Sequence, residues 1–291
     1  MKEIVVVSGK GGTGKTSITA SFAYLAGNDV LVADCDVDAA DLHLLLKPDF
    51  GKGEDFYSGL IAKINQKYCT NCGRCANVCR FDAIPFKNNH FVVDTIDCEG
   101  CAYCAKVCPT SAIDLLPAYS GKWFSSTTRL NTPMIHARLG IGSDNSGKLV
   151  TKVKNEAKTL AQSKKKNYVL IDGSPGIGCP VVSSLSGANF VVLVTEPSIS
   201  GIHDLKRVYN LVKSFKIKAG CIINKFDINE KGTTEILEFL QKENIEHIAS
   251  IPYNENFTKA MINAQTIVEY DKGVLKEILT QSWEKIKKII A

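Results

Sequence analysis

Ile4-Val5-Val6-Val7-Ser8-Gly9-Lys10-Gly11-Gly12-Thr13-Gly14-Lys15-Thr16 opens the chain with a β-branched run that ends in a glycine-rich loop. The run reads as a buried strand over 4–8, and the residues after the loop read as a helix over 15–25. Gly9 to Thr16 satisfies G-x-x-x-x-G-K-[ST] in the context that motif requires, strand before and helix after. Glycines at these positions let backbone N–H groups wrap phosphate oxygens. Lys15 is expected to pair with the β- and γ-phosphates and Thr16 to hold Mg²⁺. Gly9, Gly11, Gly12, Thr13, Gly14, Lys15, Thr16 and Ser17 form the expected nucleotide cradle.

Working outward, a second buried strand is expected at Val30–Asp34, and strands recur at Tyr168–Asp172, Phe190–Thr195 and Gly220–Asn224. Helices are expected over 147–163, 202–214, 233–242 and 273–290. Continuous apolar strands alternating with helices mark a mostly parallel sheet covered on both faces, an α/β fold. The alternation breaks near Lys47-Pro48-Asp49-Phe50-Gly51 and resumes after about Ser120. Between them lies a cysteine-rich stretch of short segments and turns. The expected organisation is a discontinuous P-loop domain, 1–55 and 120–291, with an α+β ferredoxin-like domain inserted at 56–119.

Eight of the eleven cysteines stand in two matched runs. These are Cys69-x2-Cys72-x2-Cys75-x3-Cys79 and Cys98-x2-Cys101-x2-Cys104-x3-Cys108-Pro109. This spacing is that of bacterial two-cluster ferredoxins, in which the fourth cysteine of each run serves the other cluster. One [4Fe–4S] cluster is therefore expected on Cys69, Cys72, Cys75 and Cys108, and a second on Cys98, Cys101, Cys104 and Cys79. The residues after the runs, Arg80-Phe81-Asp82-Ala83-Ile84 and Pro109-Thr110-Ser111-Ala112-Ile113, repeat as well. Arg80 stands where the second run has a proline. Structural zinc sites use Cys-x2-Cys pairs without the trailing x3 gap, so zinc is the weaker reading.

Composition limits the alternatives. A 45% apolar content suits a packed core rather than a disordered chain. The net charge of +5 is modest, and its lysine runs at 164–166 and 285–288 lack interleaved aromatics, so nucleic acid is not an expected partner. The first residues run straight into the phosphate loop, which leaves no room for a secretory signal. No apolar run approaches the ~18 residues of a membrane span. A cytoplasmic setting is expected, protected from oxygen, with the cysteines binding metal rather than forming disulfides.

The loop Lys10-Gly11-Gly12-Thr13-Gly14-Lys15-Thr16 resembles the deviant Walker A loop of the ATPases that include MinD, ParA, the nitrogenase iron protein and the Mrp-type scaffolds. Further parts resemble that family in the right order. Asp34-Cys35-Asp36-Val37-Asp38 looks like switch I, Asp172-Gly173-Ser174-Pro175-Gly176 like Walker B with switch II, Asn224-Lys225 like the adenine-reading element, and Pro252-Tyr253-Asn254 like the loop over the base. The whole chain, including Asn145-Ser146-Gly147-Lys148, is similar to MinD-like ATPases with a ferredoxin insert. The resemblance implies that Lys10 reaches the nucleotide of a second subunit, that Asp36 positions the attacking water, and that Asp172 and Asp36 join Thr16 at Mg²⁺. Asn224, Pro252 and Tyr253 would meet the base.

Three cysteines remain. Cys35 and Cys221 read as core. Cys179 follows switch II, where the resemblance to nitrogenase-type relatives would place a bridging-cluster ligand at a dimer seam, but without a Cys-x-x-Cys partner a bridging metal is the weaker reading. His136 reads as a satisfied structural histidine. The basic C-terminal helix reads as packed on the sheet rather than as a membrane anchor. The expected function is a Mg-dependent, dimer-forming ATPase, pairing with itself or with a paralogue. Its nucleotide state would govern electron transfer to, or metal-centre maturation on, a redox or metalloprotein partner. The alternatives are an Mrp-type cluster carrier and a redox-sensing, MinD/ParA-like positioning or regulatory module.

Overall fold

A computed structural model describes residues 1–140, 142 and 146–291. Asn145, one of the family-like positions, lies outside the described residues. In chain order the elements are β1 (Lys2–Ser8), α1 (Lys15–Ala26), β2 (Val30–Asp34), α2 (Leu42–Leu46), β3 (Lys52–Ile64), α3 (Arg74–Asn77), β4 (Phe86–Lys87), β5 (His90–Phe91), α4 (Tyr103–Lys106), β6 (Ile113–Thr127) and β7 (Pro133–Leu139). There follow α5 (Ser146–Ser163), β8 (Tyr168–Asp172), α6 (Cys179–Leu185), β9 (Phe190–Thr195), α7 (Ile199–Ser214), β10 (Lys218–Asn224), α8 (Glu230–Lys242), β11 (Glu246–Ile251), α9 (Asn256–Ile262), α10 (Ile267–Tyr270) and α11 (Val274–Ile290).

The main sheet has the order β11-β10-β9-β1-β8-β2-β7-β6-β3. β1 lies between β8 and β9, and every pairing from β11 to β7 is parallel. The central strands are buried along their length because helices cover both faces, which is why they read as unbroken apolar runs rather than alternating ones. Tyr168–Asp172 pairs in register with Lys2–Val6 and with Val30–Asp34. That register brings the carboxyl ends of β1, β2 and β8 level, where ligands bind in open α/β sheets.

The chain divides into two compact units. The first comprises Met1–Glu54, Trp123–Arg138 and Ser146–Ala291. Its core joins β1, β8 and β9 to α1 and α11 through Ile4, Val6, Ile18, Phe22, Leu170, Val192, Leu279 and Trp283. On α11, Leu275, Leu279, Trp283, Ile286 and Ile290 recur at helical spacing and are all buried. Trp283 stands 5.5 Å from both Phe22 and Tyr168. The apolar stripe of this helix is therefore committed to the core, as expected. Each such side chain contributes about 1.5–3 kcal/mol. Among the described residues, no helix is long and apolar enough to cross a membrane.

The second unit comprises Asp55–Lys122 and Leu139–Asn145, so it takes in a segment beyond the expected insert. It is also less fragmented than expected: β3 and β6 are strands of 13 and 15 residues. Both belong to the main sheet, and among the described residues no separate ferredoxin-like domain is set off from it. A small core of Ala62, Ile64, Cys75, Ile84, Cys104 and Ile113 organises this unit. The repeat seen in the sequence recurs in the backbone. Asn71 and Gly100, Gly73 and Ala102, and Asp82 and Ser111 hold equivalent places in the two runs, and all six have left-handed φ between 51° and 76°. At Gly100 a Cβ would stand 2.0 Å from the carbonyl oxygen of Leu60, so only glycine fits.

Besides the long strands β3 and β6, the elements that escaped the sequence reading include α6, β7, β11, α9 and α10. β7 begins at a proline and contains His136 and Arg138, which break its apolar run. β11 is half-exposed, and α9 and α10 are too short for a helical period to register.

Candidate functional site

The loop between β1 and α1 holds its shape through glycine and a distant asparagine. Gly14 caps α1 at φ 90°, and a Cβ there would lie 2.5 Å from the Asn224 side-chain nitrogen. Asn224 instead donates to the Thr13 carbonyl at 2.8 Å, tying the end of β10 to the loop. Gly9 is closed in by Asp204, whereas Gly11 and Gly12 face open space. A cleft of about 390 Å³ lies over the loop, large enough for a small-molecule ligand. Gly11, Gly12, Gly14, Lys15, Thr16, Ser17, Asp36, Asn224 and Tyr253 line it. Pro252, Gly9 and Thr13 are not among the lining residues. Asn254, Phe257, Thr258 and Met261 complete one wall. The last three lie on α9 and were not anticipated, because a seven-residue helix leaves no periodic signal.

Below the loop, three acids and one lysine are buried together. Lys15 Nζ lies 2.9 Å from Asp172 and 3.5 Å from Asp36. In this structure the lysine thus meets the carboxylates at the strand ends rather than facing the cleft alone. Thr16 Oγ1 donates to Asp172 at 2.8 Å, and Thr19 Oγ1 donates to its other oxygen at 3.0 Å. Burial opposes the charge of Lys15, but Asp172 and Asp36 outweigh it and hold its pKa above the usual lysine value. Burial pushes Asp36 up to about 6, with Lys15 pulling the other way. Asp34 is held well above the carboxylate range by burial and by the charge of Asp172. Asp34 Oδ2 and Thr13 Oγ1 are buried with no hydrogen-bond partner among the described residues. Asp38 is exposed, and its charge adds to the upward push on Asp36. Ser174 donates to the Cys35 carbonyl and Cys35 N–H donates to the Asp172 carbonyl, which joins the two switch-like segments directly.

Lys10 sits on the rim, 2.7 Å from Glu196 and 3.0 Å from the hydroxyls of Ser198 and Ser200. Glu196 also accepts from Lys225 at 2.8 Å, and Lys225 donates to the Gly12 carbonyl. Burial works against the charge of Glu196, yet the two lysines hold its carboxyl below the usual range. Glu196 was missed in the sequence, where it lacks any motif and lies far along the chain from Lys10.

In the second unit, two recesses lie among the cysteine runs. Cys69, Cys72, Cys75 and Cys108 line one, and Cys98, Cys101, Cys104 and Cys79 line the other. The fourth cysteine of each run lines the recess of the other run. The thiols are not drawn to a point: among the described residues, no three His, Cys, Asp or Glu side chains are placed to hold a single metal ion. The expected iron–sulfur centres therefore appear only as grouped ligands, not as a formed metal site. All eleven cysteines are free thiols; Cys35 and Cys221 are buried in the first unit and Cys179 is exposed at the start of α6. His136 is buried between Phe50 and Phe124 and shares a 2.9 Å hydrogen bond with Ser126, so it is a structural residue. Burial, then the Arg138 charge, pushes its pKa down to about 4.

Comparison with known proteins agrees with this geometry. A Methanocaldococcus jannaschii protein described as uncharacterised is 32% identical over 290 residues, 99% of this chain and 97% of its own length. The cell-division ATPase MinD of Pyrococcus furiosus superposes with a TM-score of 0.59 at 20% identity, covering 99% of each chain. MinD of Pyrococcus horikoshii, solved with Mg-ADP, gives 0.60 at 20% identity over 99% of this chain and 96% of that one. The model of the CobQ/CobB/MinD/ParA nucleotide-binding domain matches residues 4–267. With that match across most of its length, the chain belongs to the CobQ/CobB/MinD/ParA nucleotide-binding family.

Proposed function

We propose that this protein is a Mg-dependent ATPase of the MinD/ParA kind, a dimer-forming nucleotide switch whose second unit holds two [4Fe–4S] clusters and responds to their redox state. The observation that carries the ATPase reading is the cleft over Gly11–Ser17 with Lys15, Thr16, Asp36 and Asp172 at its floor. The backbone N–H groups of the loop and Lys15 would bind the phosphates, and Thr16 with Asp172 and Asp36 would hold Mg²⁺. The donor set suits that ion: oxygens only, from one hydroxyl and two carboxylates, with the buried Asp34 oxygen beside them. Bound there, Mg²⁺ would supply positive charge to offset that of the phosphate oxygens. For Lys15 to reach a phosphate it must give up Asp172, so phosphate and acids compete for one ammonium group. Asp36, which lines the cleft, would orient the attacking water. Asn224, Tyr253 and Met261 are suited to the base. Lys10 leaves Glu196 to meet the nucleotide of a second subunit.

The cluster reading rests on the crosswise sets of four cysteines and on the repeated left-handed turns around them. A cubane bonds each thiolate to a different iron, so its ligands surround a volume rather than converge on one ion. The crosswise sets of four thiols support that reading. The match to MinD and ParA favours a regulatory switch over an enzyme dedicated to electron transfer. Electron delivery to a redox partner, or service to a metalloprotein, is the second reading, favoured by two cysteine sets sharing one small core. The test is ATP turnover and iron and sulfide content of anaerobically reconstituted protein. About eight irons per chain are expected, with Mg-dependent turnover that changes on reduction. Zinc, or turnover indifferent to reduction, would overturn the corresponding part.

A further inference from the structure

The two cysteine nests share a backbone plan but not an environment. In the first nest, Cys108 Sγ accepts the Ala112 N–H at 3.2 Å and lies 3.7 Å from the Thr110 hydroxyl. The Cys69 thiol is itself the donor to Asn71 Oδ1 at 3.6 Å, so that contact brings no donor to the sulfur. Arg74 also lines this recess. The second nest repeats the turn, with Asp82 in the left-handed place of Ser111. Its Cys104 sulfur accepts the Ala105 N–H, as Cys75 accepts that of Ala76 in the first nest, but among the described residues no hydrogen bond reaches the sulfur of Cys79, the counterpart of Cys108. The charged lining residue of the second nest is Glu99. Arg80 adjoins Cys79 but is exposed and does not line the recess.

Adding an electron to a cluster adds negative charge. Donors aimed at the ligand sulfurs and nearby cations stabilise that charge, and a nearby carboxylate opposes it. Both differences point the same way. We infer that the nests are built unequal: the first, with Thr110, Ala112 and Arg74, takes the first electron, and the second, with Glu99, is reduced only after it. Resting on the two-cluster reading, this names Thr110 and Glu99 as the residues that set the order. The step is a one-electron transfer from a low-potential one-electron donor to the first nest, with no bond made or broken in the protein.

The experiment is a potentiometric titration of the full chain after anaerobic reconstitution with iron and sulfide, followed by electron paramagnetic resonance. Two separate one-electron waves are expected, with at least a tenfold preference for the first nest, about 59 mV for one electron. Thr110→Val should lower the upper wave alone, and Thr110→Ser should restore it. Glu99→Gln, on the other nest, should raise the lower wave alone. Coincident waves in the unmodified protein, or Thr110→Val moving the lower wave, would overturn the inference while leaving the two-cluster reading intact. Absence of bound iron and sulfide would remove that reading, and this inference with it.

Discussion

Replacing Lys15 with alanine should do more than abolish phosphate binding; it should unsettle the nucleotide-free protein. Lys15 is 6% exposed, Asp172 is 1% exposed, and they meet at 2.9 Å, with Asp36 at 3.5 Å on the other side. Removing one member of a buried ion pair costs about 3–5 kcal/mol, because the charge left behind has neither partner nor water. The acids can recover part of this by taking up protons. Asp34 and Asp36 already have raised values, and loss of the lysine raises them further. A carboxyl whose folded pKa lies above its unfolded one binds more protons when folded, so stability falls as pH rises through that window. The Lys15→Ala deficit should therefore be near its full size at pH 8 and much smaller at pH 5. Urea unfolding followed by tryptophan fluorescence measures it, since Trp123 and Trp283 both lie in the first unit. Mg-ATP at a hundred times its dissociation constant should add about 2.7 kcal/mol to the unmodified protein and nothing to the variant. A deficit under about 1 kcal/mol at pH 8, or one equal at both pH values, would refute the buried-pair argument.

Four further outcomes are expected. Lys10→Ala should keep nucleotide affinity but lose turnover by about 10³-fold or more, together with ATP-dependent dimerisation; sedimentation and phosphate release measure this, and full turnover would exclude a role across subunits. Lowering the pH from about 6.5 to 4 should destabilise the first unit, because His136 is held neutral at about 4 when folded and protonates readily when unfolded. That loss, about 3 kcal/mol at 1.36 per pKa unit, should be absent from the difference curve of His136→Gln. Cys108→Ser should impair the cluster of the first run and Cys79→Ser that of the second, read by resonance spectra; losses confined to each residue's own run would contradict the crossed arrangement. Trp283→Ala, at a site 2% exposed between Phe22 and Tyr168, should cost about 3–5 kcal/mol in the same urea assay, and a smaller loss would mean that α11 collapses into the space.

The phosphate loop, the central strands and the paired cysteine runs were legible in the chain itself. Each is written in contiguous residues: a β-branched run before glycines, an unbroken apolar strand, cysteines at a fixed interval. Strand 4–8 and helix 15–25 needed only local rules, and the two cysteine runs announced their repeat. What depended on distant residues could not be read. Only the fold shows that Asn224 steadies the Thr13 carbonyl, that Glu196 holds Lys10 and Lys225 together, and that Lys15 is shared between Asp172 and Asp36. β7 stayed hidden because His136 looks polar in the chain and becomes a core residue only when Phe50, Phe124 and Ser126 surround it. The wall of the cleft formed by Phe257 and Met261 escaped for a similar reason, since a short helix acquires its meaning from what it packs against. The inequality of the cysteine nests belongs to both levels. The cysteine spacing is identical in the two runs, but which sulfurs receive hydrogen bonds is decided by turns folding back in three dimensions, where a shift of a few tenths of an ångström makes or loses a bond.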